Sequence, residues 1–223
     1  MELIRDISLF MHVVAGFMAL VVGIPAFASR KGGRIHRLSG KIYVIAMLVV
    51  AFSSFLLALI RFNPFLFMVG VFTLYMTVTG YRGLYRKQKN QSKKLEWVLI
   101  IFLFLMAGYM LIKTFSLLDK SYQGFMPIVI VFTVILSVFI VKDILIYLGK
   151  VEMNANKWLL YHIGRVSGAY IATFTAFLVT NLQTRPAYIA WLLPTLIGTF
   201  VIAYFQRKYK VKRKRVSFAS EEL

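Results

Sequence analysis

Ile7 to Ala28 reads ISLFMHVVAGFMALVVGIPAFA, twenty-two residues in which His12 is the only ionisable side chain. A bilayer core of ~30 Å takes about 20 apolar residues at 1.5 Å each, and within it every backbone N–H and C=O must be satisfied inside the segment. This run therefore reads as a helix that crosses. Ala26-Phe27-Ala28-Ser29 looks like a signal-peptidase site. However, Glu2, Arg5 and Asp6 stand where a positive n-region would be, and the run is long enough to span, so it is kept as the first helix. Working outward, six more runs meet the same requirement: Leu38–Leu59, Pro64–Tyr81, Trp97–Leu117, Pro127–Leu148, Trp158–Thr180 and Pro186–Phe205. The expected fold is all-α and integral to a membrane, a seven-helix bundle over residues 1–206 followed by a basic tail at 207–223.

Three runs begin at Pro64, Pro127 and Pro186, where a missing N–H costs nothing because the first helical turn has no partner for it. Pro25 and Pro194 fall inside runs, and each is expected to kink its helix and free a carbonyl for a neighbour to satisfy. Composition points the same way. The chain is 60% hydrophobic and 16% charged, against roughly 25% charged in an ordinary soluble domain. A net charge of +19 would suggest nucleic acid on a soluble domain, but here the charges lie between apolar runs, which excludes that partner. With no Cys, any metal or haem must be held by His, carboxylate, Met or Tyr, and the chain has three His.

Lys and Arg set the expected orientation. The side that receives the connections after spans one, three and five and the tail carries 22 of the 27, including Arg30, Lys31, Arg82, Lys87, Lys89, Lys93, Lys142 and the run from Arg207 to Arg215. The other side has Arg5, Arg61, Lys113, Lys120 and Arg185. The positive-inside rule then places the N-terminus outside and the C-terminus in the cytoplasm of a bacterial inner membrane. The basic run, with Ser217 and Ser220 before Glu221 and Glu222, is either a topology anchor or a dock for anionic lipid at about 1 kcal/mol per basic residue.

Polar residues inside the spans are few. His12 shares a stripe with Ala15, Gly16, Ala19 and Gly23, a small-residue face that lets helices approach closely within the chain or between copies. His36-Arg37-Leu38-Ser39-Gly40 opens the second span and His162-Ile163-Gly164-Arg165-Val166-Ser167-Gly168 opens the sixth, followed by Tyr43 and Tyr170 respectively. Asp143, about one turn inside the fifth span, is the one carboxylate well within a span, and Arg165 at similar depth is its expected partner. Gly70, Thr73, Thr77 and Gly80 form a further small or polar stripe on span three, read as helix packing.

Three readings fit the His36, Arg37, Asp143, His162 and Arg165 set. His36 and His162 could ligate haem b or a divalent metal, with the Arg residues and Tyr43 and Tyr170 around an anionic group, and with His12 as a second position. The set could be a transporter's polar site in a three-plus-one-plus-three parallel repeat. Or the Arg residues anchor topology, the His residues cap helices, and Asp143–Arg165 is structural. No Gly-rich phosphate loop, His-Glu-x-x-His or Gly-x-Ser-x-Gly motif marks an enzyme.

His12 with its Gly/Ala-rich helix, His36-Arg37 followed by Gly40 and Tyr43, and the stretch from Trp158 through His162, Arg165 and Gly168 to Ala172 together resemble a family of predicted bacterial membrane proteins, the domain of unknown function numbered 2306. Many relatives carry a His-x-x-Trp-Met run near their last helices; this chain has none. The resemblance implies an integral-membrane protein and selects the same three His, with no activity attached.

Overall fold

A computed structural model describes residues 1–61, 63–86, 94–116, 126–182, 184 and 188–221. Lys87, Lys89, Lys93, Leu117, Lys120, Arg185, Pro186 and Glu222, named above for charge or as span ends, lie outside the described residues. Among the described residues there are seven helices and no strand: α1 Glu2–Ala28, α2 Arg34–Ile60, α3 Pro64–Gly83, α4 Lys94–Ser116, α5 Met126–Tyr147, α6 Ala155–Asn181 and α7 Tyr188–Glu221. α1, α2, α3, α5, α6 and α7 are each, by length and composition, able to cross a membrane. The 23-residue α4 covers nearly all of the run read from Trp97.

The helix ends have local causes. Asn63 accepts a hydrogen bond from Leu66 N at 3.1 Å ahead of Pro64 at the first position of α3. Asn154 caps α6 in the same way from Lys157 N at 2.9 Å, which is why α6 starts at Ala155, three residues before the expected Trp158. The α1–α2 turn needs a left-handed residue, supplied by Gly32 at φ +78°. α7 continues through the basic run to Glu221.

α3 is the centre. Every residue from Phe67 to Thr77 is buried, as expected of a helix apolar all round, and α2, α4, α5 and α6 pack around it. The stripe on α3 serves packing: Gly70 faces Ser54, and a Cβ on Gly80 would sit 2.7 Å from Arg165 Cβ and 2.9 Å from Val166 Cγ2. α1 lies along α2 through Ala15, Ala19 and Gly23, and Gly23 leaves room for the Tyr170 ring. These small-residue faces are thus covered within the chain. Pro25 cannot serve the Val21 carbonyl, and one residue earlier the Tyr170 hydroxyl donates to Leu20 O at 3.2 Å. A parallel repeat would pack α5 on α6 as α1 packs on α2; among the described residues α1 and α2 are close neighbours, whereas α5 meets α6 chiefly through the side chains around Asp143.

Candidate functional site

Asp143 of α5 and Arg165 of α6 form the expected pair, with Arg165 Nη2 2.8 Å from Asp143 Oδ1 and both side chains buried. The carboxylate is then saturated. Its Oδ2 accepts from the Tyr161 hydroxyl of α6 at 2.9 Å and from the Tyr75 hydroxyl of α3. The guanidinium is enclosed as well: it donates to Phe139 O at 3.2 Å and lies 4.7, 4.3 and 4.8 Å from the Tyr75, Phe139 and Tyr161 ring centres. Charge-assisted bonds and cation–π contacts together compensate the loss of water around both ions. The result is a closed polar knot that ties α3, α5 and α6.

The imidazoles lie outside it. His162 Nδ1 is 2.9 Å from Gly80 O, and His36 Nδ1 is 2.8 Å from Ala26 O. A carbonyl can only accept, so each Nδ1 carries the proton and, in the neutral ring, Nε2 is the nitrogen with the lone pair. His36 and Lys31 are both near enough to act on His162 electrostatically. Lys31, in the α1–α2 turn, donates to Ala26 O at 2.9 Å and Phe27 O at 2.6 Å, closing the end of α1. Partial burial pulls its ammonium below the usual lysine range.

Of the other expected site residues, Arg37 is exposed beside His36. Tyr43 is buried, with its ring 6.1 Å from that of Tyr170. His12 is apart from this end: its Nδ1 is 3.1 Å from Ser53 Oγ and 3.4 Å from Ser54 Oγ in the α1–α2 seam. Among the described residues no group of three or more His, Asp or Glu gathers for a metal.

A family model described as "Predicted membrane protein (DUF2306)" matches residues 9–146. The chain belongs to this family. The match takes in α1 through most of α5, with His12, His36, Tyr75 and Asp143, whereas Tyr161, His162, Arg165 and Tyr170 lie beyond it. The knot therefore joins the family region to α6. No curated protein matches the chain, and no solved structure does.

Sequence reasoning missed the tyrosines of the knot. Tyr161 stands four residues before Arg165, on the same helix face. Tyr75 shares a face of α3 with Thr79 and Arg82, and Arg82 together with Arg86, just past the end of the helix, pairs with the buried Glu96 in the first turn of α4, Arg82 Nε at 2.8 Å. Burial alone would raise the Glu96 carboxyl, but the hydrogen bonds and charges of Arg82 and Arg86 outweigh it and hold it below the usual range.

Proposed function

We propose that this chain is a seven-span protein of the bacterial inner membrane, N-terminus outside and C-terminus in the cytoplasm, whose His36–His162 end binds haem b. The observation that supports the reading is the matched pair of Nδ1–H···O=C bonds, from His36 to Ala26 and from His162 to Gly80. Ligating histidines use this arrangement, since a fixed Nδ1 proton orients the ring and raises the basicity of Nε2. Two imidazoles without a third donor would hold a haem better than a bare divalent ion, which wants about four ligands. When bound, haem would supply one-electron redox chemistry.

The chain's own groups then divide the work. Gly80, with no Cβ, lets α3 approach α6 so that its carbonyl meets His162. The knot sets the height of α6, and Arg165, enclosed by Asp143 and three rings, is not the propionate partner. Exposed Arg37 is. Tyr43 and Tyr170 pack behind the His36 helix end and hold α2 against α6. The transport reading draws no comparable support, because the two helix triplets do not pack alike.

The test is an absorption spectrum and elemental analysis of the purified protein. A Soret band lost in either His36→Ala or His162→Ala supports the reading; a wild type with neither haem nor metal ends it. Reporter fusions after Leu117 and after Leu223 should read outside and inside, and a C-terminal reporter found outside would overturn the orientation.

A further inference from the structure

Between α6 and α7 runs an apolar cavity of about 300 Å³ with Phe27 of α1 at one end. Along α6 it extends from Ser167 to Leu178, eleven residues or ~16 Å at 1.5 Å each. That length is about half of a ~30 Å hydrocarbon core. Phe174 and Ile197 on its rim are exposed, so a chain can enter sideways from the bilayer.

The Phe27 end is cationic. Lys31 Nζ lies 5.3 Å from the ring centres of both Phe27 and Phe205, and two carbonyls of α1 already hold it. An ammonium has three donors, so one remains. A fixed, half-buried cation at the Phe27 end of an apolar groove is complementary to an anionic amphiphile: tail between the helices, head beside the cation.

We propose that the α6–α7 groove binds one acyl chain of an anionic phospholipid whose headgroup, with no cation of its own to offset the phosphate, sits against Lys31. This site is separate from the basic end of α7 and independent of the haem reading. Ordinary boundary lipid would fill the groove too, but without regard to headgroup charge.

The experiment uses the full chain in detergent, incubated with phosphatidylglycerol or phosphatidylcholine of the same acyl chains, washed, and read for retained lipid by native mass spectrometry. One phosphatidylglycerol per chain should be retained, with a preference over phosphatidylcholine of about fivefold, the size of one basic group's attraction to an anionic headgroup. Lys31→Gln should abolish the preference and Lys31→Arg should keep it. Ile197→Trp, which fills the groove without touching the cation, should lower retention of both lipids. Changing the seven Lys and Arg of 207–215 to Gln should leave the preference in place. Equal retention of the two lipids by wild type, a preference that survives Lys31→Gln, or one that disappears with the 207–215 changes alone would each overturn the proposal.

Discussion

Two polar regions lie near the same end of this bundle, and they are built on opposite plans. Around Asp143 the polar groups are spent on one another: one carboxylate takes Arg165, Tyr75 and Tyr161, and aromatic rings cover what remains of the guanidinium. Around His36 and His162 each ring uses one nitrogen on a backbone carbonyl and keeps the other. A saturated network gives rigidity and has nothing left for a ligand, whereas a half-used one costs stability unless something binds it. On the proposed reading the closed region is the scaffold and the half-used one the site.

The largest effect should come from breaking the closed region one partner at a time. Arg165→Leu leaves a buried carboxylate unpaired and should cost about 3–5 kcal/mol in unfolding free energy, while the Asp143→Leu/Arg165→Leu double variant should cost much less. Equal losses in both would mean the pair is not the keystone. Next in size, Tyr161→Phe removes one hydrogen bond to a charged acceptor, about 1.5–3 kcal/mol, with cofactor content retained. Gly80→Ala forces a methyl against Arg165 and Val166 and should cost roughly 1–3 kcal/mol. Because it moves the carbonyl under His162, it should weaken the ligand site as well, which Tyr161→Phe should not.

His162→Ala sharpens the contrast from the other side. It should cost only about 0.5–1.5 kcal/mol in apoprotein stability, the net worth of one neutral hydrogen bond, yet remove the ligand entirely. The smallest effect is a pH dependence at Glu96. Its folded pKa is held down, so the Arg82–Arg86 link contributes stability that is complete above the ordinary Glu value of about 4.3 and is lost as pH falls through the lower folded value. Melting midpoints in detergent should fall over that acid range in wild type and fall less steeply in Glu96→Gln.

The seven helices were legible because span length is fixed by bilayer thickness, whatever the neighbours. The Asp143–Arg165 pair was legible for a related reason: a lone carboxylate inside a span needs a cation at its own depth. What could not be read depends on how helices are arranged around one another. Tyr75 and Tyr161 join the knot because α3 lies at the centre between α5 and α6, an arrangement no single helix pattern encodes. Lys31 looked like one more topology charge until its two carbonyl partners were seen. The basic run after Phe205 lacks any apolar stripe, so nothing in it announced that α7 continues to Glu221. Pro64 marked the start of α3 correctly, whereas Asn154 was readable as a cap but hydropathy alone drew the α6 boundary three residues past the helix start.

The central claim is that His36 and His162 carry the ligand while the Asp143 knot only holds the helices in place. Soret absorbance per protein, measured side by side for wild type, His36→Ala, His162→Ala and Tyr161→Phe, tests it most directly. The account predicts a band in wild type and Tyr161→Phe and none in either histidine variant. A wild type without a band, or a band that survives both histidine substitutions, would contradict it.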